Sequence, residues 1–156
     1  DVLYHNPNKG LTVRQLAKQA KLPVTTTQRY LEQLQHQGII NKDHTLHITP
    51  YTKFHKATFM IDKLFTCGLI DELKKILTPT TIILFGGVRK GEYDQESDID
   101  LFIATTKKIK PDLKAYEKKL GHKIDLFIEK DLRNLPPRLM NNVLNGIKLS
   151  GYVKVK

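Results

Sequence analysis

The sequence predicts an α+β fold made of two parts, and three observations support this prediction. Apolar residues recur at helical spacing through the N-terminal half, and two patterns typical of helix starts lie near the N terminus. From Thr81 onward, short strand-like runs alternate with helical segments. The chain has 156 residues, of which 40% are hydrophobic and 27% are charged, so it is long enough for two small packed domains.

The first predicted element is a short helix at residues 13–20. Thr12 followed by Gln15 is a capping-box pattern, in which the two residues satisfy each other's backbone donors at a helix start. Leu16 and the alanines that follow it mark one apolar face. The turn at residues 21–24 contains a proline and ends this helix.

A second helix is predicted directly after the turn. Thr25 with Gln28 repeats the capping pattern, and Leu31 and Leu34 form the apolar stripe. Gly38 is well placed as the C-terminal stop, because glycine adopts the left-handed conformation that often ends a helix. The sequence therefore predicts two helices joined by a tight turn.

A short β-hairpin is predicted next, with strands at residues 39–42 and 45–48 around Asp43-His44. Helix, turn, helix and hairpin is a winged-helix order, and residues 12–40 resemble the DNA-binding domains of that family. The resemblance implies that the start of the second helix enters the major groove and that the hairpin touches phosphates. The residues concerned are Thr25, Thr26, Gln28 and Arg29 on the helix, and Lys42 and His44 on the hairpin. A winged helix used for protein interaction or packing is the alternative that the sequence leaves open.

A connecting helical region follows, and it continues into the second half. Apolar residues keep helical spacing on both sides of Cys67-Gly68, which predicts two helices, or one helix bent near Gly68. Cys67 lies in this pattern and is expected to be a small buried thiol. We predict a helix-turn-helix domain at residues 1–50, a connecting helix at 51–68 and a second domain at 69–156. The apolar positions are Phe54, Ala57, Ile61, Leu64, Phe65, Leu69, Leu73, Ile76 and Leu77.

The second half reads as a small mixed sheet with flanking helices. Strands are predicted at residues 81–85, 98–104 and 123–128, with a loop at 86–97 and a lysine-rich helix at 111–120. A further helix follows Pro136-Pro137 and carries Leu139, Val143, Leu144 and Ile147.

Acidic residues in two of these strands point to metal chemistry. Asp98 and Asp100 alternate with apolar residues, so both carboxylates project from one side of a strand, about 7 Å apart. Two carboxylates placed this way repel each other and lose hydration, and both effects destabilise the sheet. The pair is therefore expected only where a cation lies between the two groups. Asp125 has a similar setting, and three carboxylates converge if its strand runs beside the first. Gly86 and Gly87 precede them and let the backbone approach a phosphate closely.

This spacing resembles the DNA polymerase β superfamily of nucleotidyltransferases, and in particular its small minimal members. The resemblance covers about half of the chain, and the stretch from Leu84 to Leu101 follows the family's pattern nearly throughout. It implies that Asp98 and Asp100 bind two Mg²⁺ ions, or Mn²⁺, and that Asp125 helps to bind the ion that activates the acceptor hydroxyl. It also implies nucleotide binding by Gly86, Gly87, Lys90 and Ser97.

The sequence departs from this family's pattern at two positions. Gly87 stands where the family usually has serine, which removes a hydroxyl that would contact the phosphates. Lys90 stands where arginine is more frequent, which keeps the charge and loses the bidentate fork. We expect weakened or retuned nucleotide binding.

The implied reaction transfers a nucleoside monophosphate, expected to be AMP from ATP, to a hydroxyl group. No motif names the acceptor, which can be a protein side chain, an RNA 3′ end or a small molecule. The alternative is a DNA-binding regulator or an antitoxin-like protein, whose weak or degenerate transferase domain acts on a partner such as a toxin.

The net charge of +10, shared by both halves, favours a polyanionic partner such as DNA, RNA or a nucleotide. A lysine-rich segment around the predicted helix at 111–120 is either a solvated face or a track for such a partner. No run approaches the roughly 18 apolar residues of a membrane span, so we expect a cytoplasmic protein without a membrane partner. Because the chain does not begin with Met, we also expect residues upstream of Asp1. The lysines are Lys107, Lys108, Lys110, Lys114, Lys118, Lys119 and Lys123.

Overall fold

The computed structural model describes residues 1–153. Over these residues the chain forms eight α-helices, one 3₁₀ helix and one four-stranded mixed sheet, which confirms the predicted α+β class. The chain divides into two compact units, Asp1–Lys56 and Ala57–Lys156. The division at residues 1–50, 51–68 and 69–156 stays a prediction, and its last three residues lie outside the described part.

The N-terminal unit is a helix-turn-helix with a small apolar core. Its helices are α1 (Val2–His5), α2 (Val13–Ala20), α3 (Val24–His36) and the first part of α4 (Pro50–Thr66). The predicted capping box is present, because the Gln15 N–H donates to Thr12 Oγ1 at 3.3 Å and Gln15 Oε1 accepts the Thr12 N–H at 2.8 Å. The buried core residues are Leu16, Leu31, Ile40 and Leu46.

The start of α3 differs from the prediction. Thr25 lies inside the helix, so its interpretation as the N-cap was wrong. The residue before the helix is Pro23, with φ of −58°, and its carbonyl accepts both the N–H and the hydroxyl of Thr27, at 2.9 and 3.0 Å. Proline is already set near the helical φ, so the helix begins directly after it.

The end of α3 agrees with the prediction, whereas the wing is smaller than predicted. Gly38 has φ of +68°, and the N–H of Ile39 donates to the Leu34 carbonyl at 2.9 Å, which is the Schellman pattern. The two predicted hairpin strands reduce to a single antiparallel bridge between Ile40 and Leu46.

The loop inside this small wing explains why no longer ladder forms. The Asp43 carboxylate accepts the backbone N–H and the hydroxyl of Thr45, at 3.0 and 2.6 Å. This local turn competes with strand pairing for the backbone donor of Thr45. His44 has φ of +64°, and its Nδ1 lies 2.9 Å from the Leu11 carbonyl oxygen.

The C-terminal unit is a sheet of order β3-β2-β1-β4 with helices on both faces. Strand β1 is antiparallel to β2 and to β4, and β2 is parallel to β3. The elements that follow α4 are α5 (Leu69–Leu77), β1 (Thr81–Phe85), α6 (Gly86–Arg89), β2 (Ile99–Ala104), α7 (Lys114–Leu120), β3 (Ile124–Glu129), a 3₁₀ helix (Leu132–Asn134), α8 (Pro137–Leu144) and β4 (Ile147–Gly151).

Strand β2 is buried on both faces, which gives the unit two apolar layers. Ile99, Leu101 and Ile103 pack in one cluster with residues of α4, α5 and α7. Phe102 and Ala104 point to the other face and pack near α8. This alternation places Asp100 on the face of Phe102.

Several predicted boundaries of the C-terminal half change in the structure. Strand β2 begins one residue after Asp98, the lysine-rich helix begins at Lys114, and the predicted loop at 86–97 contains α6. Ile147 belongs to β4 and not to the helix before it, so the sequence missed this strand. A Cβ at Gly146 would collide with Ile83 and the chain around it, so glycine lets the chain turn back along β1 there. Gly68, with φ of +86°, separates α4 from α5 as two helices.

Candidate active site

The carboxylates Asp100 and Asp125 are direct neighbours in the sheet. They are register partners on the parallel strands β2 and β3, so their side chains share one face. Asp98 lies two residues before Asp100, just outside β2, and is exposed like Asp125. The strand that carries Asp125 therefore runs beside the Asp98-Asp100 segment. This is the condition under which the three carboxylates were predicted to approach one another.

The electrostatics of Asp100 reflect this proximity. Partial burial raises the pKa of the Asp100 carboxyl above its usual value, and the charges of Asp125 and Asp98 raise it further. All three effects disfavour the ionised form. A nearby cation would relieve them, because it would stabilise negative charge on the three carboxylates together.

Gly86 brings the backbone against this cluster. It follows the last residue of β1, which pairs with Asp100, and it has φ of +73°. A Cβ at this position would overlap Asp100 Oδ2. Both the backbone conformation and the close approach therefore require glycine here.

Gly87 opens a compact turn after β1. Its carbonyl accepts the backbone N–H groups of Lys90 and Glu92, at 3.1 and 2.9 Å. A Cβ on Gly87 would lie 3.0 Å from the Glu92 carbonyl oxygen, so any other residue requires a small shift of this turn. Lys90 follows α6 directly and is exposed, while Arg89 Nε donates to the Asn145 carbonyl at 2.5 Å.

Ser97 organises the loop before the carboxylates. Its hydroxyl donates to Asp94 Oδ1 at 2.9 Å and accepts the Asp94 backbone N–H at 3.0 Å. The Ser97 carbonyl oxygen lies 2.7 Å from Nδ1 of His122, a buried ring that stacks edge-on with Tyr93 at 5.7 Å. This network holds the chain just before Asp98.

Sequence reasoning missed His122 and Glu117, which support the site from α7 and the start of β3. Glu117 Oε1 accepts the backbone N–H of Ile124 at 3.0 Å, next to Asp125. The dipeptide Gly121-His122 ahead of an apolar strand was the only available signal, and it is a weak one.

The donor set fits a hard divalent cation. Carboxylate oxygens are the ligands that Mg²⁺ prefers, and it is commonly held by one or two carboxylates together with substrate phosphates. Asp100 and Asp125, in register on one face, supply such a pair, with Asp98 beside them. Within residues 1–153, no group of three or more His, Cys, Asp or Glu side chains is arranged so that it could hold a metal ion.

Two cavities adjoin the carboxylates. One of about 440 Å³ is lined by residues 95–98, Glu117 and residues 121–123, and so reaches Asp98. The other, of about 1080 Å³, is lined by residues 105–114, Glu117 and residues 124–130, and so reaches Asp125. The smaller volume lies within the range of roughly 300–1,000 Å³ that is typical of small-molecule sites, and the larger lies just above it.

The residues predicted to contact nucleic acid lie on the N-terminal unit. Thr25, Gln28 and Arg29 are exposed near the start of α3, whereas Thr26 is half-buried. Gln28 Nε2 donates to Glu32 Oε1 at 3.1 Å. Lys42 is exposed in the small wing.

The fold and the acidic site define a nucleotidyltransferase-type domain joined to a helix-turn-helix. Two family models agree with this assignment: one for a nucleotidyltransferase domain matches residues 66–149, and one for an IclR helix-turn-helix domain matches residues 6–44. The first match covers more than half of the chain, so the protein belongs to the nucleotidyltransferase domain family. A comparison with curated proteins found no significant match.

These two matches support nucleotidyl transfer and nucleic-acid binding at a general level. A nucleotidyltransferase domain takes a nucleoside triphosphate as substrate, and such domains generally use divalent metal ions. A helix-turn-helix is a nucleic-acid-binding fold. No helix in the described part of the chain has the length and apolar character to cross a bilayer.

Proposed function

We propose that this protein transfers AMP from ATP to a hydroxyl group of an acceptor, with Mg²⁺ or Mn²⁺ as cofactor and release of pyrophosphate. The observation that carries the proposal is the register pairing of Asp100 with Asp125 on parallel strands, with Asp98 close enough to raise the Asp100 pKa. Such a cluster does not stabilise the sheet, because mutual repulsion and the burial of charge both destabilise the folded state.

Each residue of the site has a role in this proposal. Asp98, Asp100 and Asp125 hold the metal ions, and Gly86 and Gly87 bring backbone donors towards the phosphates. Lys90 adds a positive charge, and Ser97 keeps the preceding loop in place. When bound, the divalent cations supply positive charge at the α-phosphate and lower the pKa of the attacking hydroxyl.

The bond changes follow from in-line displacement at phosphorus. The acceptor oxygen bonds to the α-phosphorus, the bond from that phosphorus to the oxygen bridging to the β-phosphate breaks, and pyrophosphate leaves. The hydroxyl proton passes to water. The protein's contribution is to position the hydroxyl and the α-phosphate beside one another on the carboxylate face of the sheet.

Pyrophosphate release tests this proposal. We expect the wild-type protein to release pyrophosphate from ATP in the presence of Mg²⁺ and a bacterial lysate as acceptor source, and Asp98→Asn with Asp100→Asn to abolish it. Asp62→Asn removes an exposed carboxylate from α4 and serves as the matched control. Parallel reactions with GTP, CTP and UTP identify the base. Release that persists in the double variant would remove the proposal.

A second function is supported by the N-terminal match. The helix-turn-helix domain, with Gln28 and Arg29 exposed on α3, favours a DNA-binding regulator. In that case the transferase domain senses nucleotide or acts on a partner protein such as a toxin. Duplex binding that weakens as salt rises supports this function, and the absence of salt-dependent affinity contradicts it. Both functions can belong to one protein.

A further inference from the structure

Strand β3 lies at one end of the sheet, and part of its outer edge is open. The backbone N–H groups of Ile99 and Thr105 donate to the carbonyls of Lys123 and Glu129, both at 2.9 Å. Since hydrogen bonding alternates along a parallel pair, residues 123, 125, 127 and 129 bond to β2, and residues 124, 126 and 128 direct their backbone groups outwards. Within the described residues, no strand pairs with this edge.

The first of these outward N–H groups, that of Ile124, already donates a hydrogen bond to a side chain. Glu117 accepts the N–H of Ile124. Leu126 and Ile128, further along β3, line the cavity of about 1080 Å³. Residues 105–114 line the same cavity. An open strand edge beside a cavity of this size is a template for pairing with another extended chain.

We propose that the acceptor is an extended polypeptide segment, which adds to the β3 edge as a fifth strand and presents a Ser, Thr or Tyr hydroxyl beside Asp125. This inference rests on the proposed nucleotidyl transfer and names its substrate class. Opposed residues on neighbouring strands share a face, so a side chain in register with Asp125 lies on the face that carries the carboxylates. A segment of about six residues matches the length of β3.

The lining of the cavity favours a peptide over single-stranded nucleic acid. Single strands are held by aromatic side chains on which bases stack. Among the described lining residues Phe127 is the one aromatic, and it packs edge-on against Phe85 with ring centroids 5.3 Å apart. The exposed apolar side chain of Ile109 and the backbone groups of β3 suit an extended peptide instead.

The charges of the cavity indicate the composition of the segment. Four lysines of the lining are exposed: Lys108, Lys110, Lys114 and Lys130. The lining also has four acidic residues, Asp112, Glu117, Asp125 and Glu129. Of these, Glu117 accepts the Ile124 N–H, and Asp112 accepts the Lys114 N–H at 3.1 Å. A segment with acidic residues around its hydroxyl residue complements these lysines.

The reaction on such a segment is the same in-line displacement at phosphorus. The hydroxyl oxygen of the peptide bonds to the α-phosphorus of ATP, pyrophosphate leaves, and the hydroxyl proton passes to water. The product is a phosphodiester between AMP and the Ser, Thr or Tyr side chain.

Peptide binding to the Asp100→Asn variant of the 156-residue chain tests docking without requiring chemistry. The probe is a synthetic peptide of about nine residues, with a central tyrosine flanked by alternating valine and glutamate. We expect saturable binding by fluorescence anisotropy, and slower hydrogen exchange at the amides of Leu126 and Ile128. Unchanged exchange at both amides with bound peptide overturns the proposal.

Two further variants locate the contact. Leu126→Pro removes an outward N–H that β2 does not use, and Lys108→Glu with Lys110→Glu reverses charge in the cavity. Each is expected to weaken peptide binding about tenfold. Lys118→Glu with Lys119→Glu changes two exposed lysines of α7 outside the cavity lining and is expected to leave binding unchanged. If Leu126→Pro does not fold, the exchange measurement decides.

Labelling by wild-type protein separates this inference from the proposed function. Transfer of AMP to the tyrosine peptide, and none to a phenylalanine version, supports both. Pyrophosphate release with an oligoribonucleotide or a small alcohol, and none with peptides, overturns the peptide acceptor and leaves the transferase function in place. No release with any acceptor removes the transferase function itself, while the binding and exchange results still decide whether β3 takes up a strand.

Discussion

Gly86 lies so close to Asp100 that a single added carbon would overlap the carboxylate. The end of β1 and the middle of the acidic cluster are thus packed without space between them. This contact links the diglycine, which is expected to approach the phosphates, to the residue at the centre of the three carboxylates.

Gly86→Ala is therefore expected to reduce activity about 100-fold, because displacing a catalytic group by about 1 Å has an effect of that size. It also places a side chain at φ of +73°, which costs about 1–2 kcal/mol of stability. Gly68→Ala is the control, since Gly68 has φ of +86° and a methyl group added there would meet no atom within 4 Å. Equal losses of activity in both variants would show that backbone strain alone accounts for the effect.

Replacing Gly87 tests whether a serine hydroxyl at this position would strengthen ATP binding. Gly87→Ala adds only the Cβ near the Glu92 carbonyl, while Gly87→Ser adds the Cβ and a hydroxyl. We expect the serine variant to bind ATP about 10-fold more tightly than the alanine variant, since a hydrogen bond to a charged group contributes about 1.5–3 kcal/mol. The KM for ATP in the two variants provides the comparison, and equal values contradict a phosphate contact at this position.

The raised pKa of Asp100 predicts a pH-dependent stability. The folded protein keeps this proton at pH values where the unfolded chain has lost it, so the stabilising effect is complete below pH 3.8 and is lost as pH rises through the folded pKa. Asp100→Asn should therefore melt at a higher temperature than wild type at neutral pH without metal, and the difference should disappear below pH 3.8.

Melting curves against pH check this expectation, with Asp62→Asn as the control carboxylate. Added Mg²⁺ should raise the melting temperature of wild type more than that of Asp100→Asn, because a bound cation offsets the repulsion among the three carboxylates. A difference in melting temperature that stays constant from acidic to neutral pH argues against repulsion at Asp100.

Arg29 is expected to contribute a phosphate or base contact if α3 binds duplex DNA. Arg29→Ala should then weaken binding, and for a phosphate contact should lower the slope of log affinity against log salt by about 1. Lys9→Ala, which removes an exposed cation outside α3, is the comparison. Titrations of labelled duplex at several salt concentrations measure both slopes, and identical slopes for Arg29→Ala and wild type exclude a phosphate contact.

Much of the architecture was readable from local sequence signals. Helix α2 and strand β1 have the predicted bounds, because a capping box and a purely apolar run are strong local patterns. The start of α3 was misplaced since Pro23 outweighed the Thr25 pattern. Strand β4 was missed because its residues are exposed or half-buried, so the strand carries little apolar periodicity.

Some features of the candidate site were also predictable from the sequence, and others were not. The sequence by itself predicted which carboxylates form the candidate site, since Asp98, Asp100 and Asp125 interrupt apolar runs where charge is costly. It also identified the family to which the chain belongs.

Only the tertiary structure decided that Asp100 and Asp125 are in register, that Gly86 packs against Asp100 and that the β3 edge opens on a cavity. Strand order and register depend on contacts between residues distant along the chain, and no local pattern encodes them. The position of the supporting group His122 depends on the same long-range packing, because its ring lies against the Ser97 carbonyl, 25 residues earlier in the chain. Glu117, by contrast, accepts the N–H of Ile124, only seven residues further on.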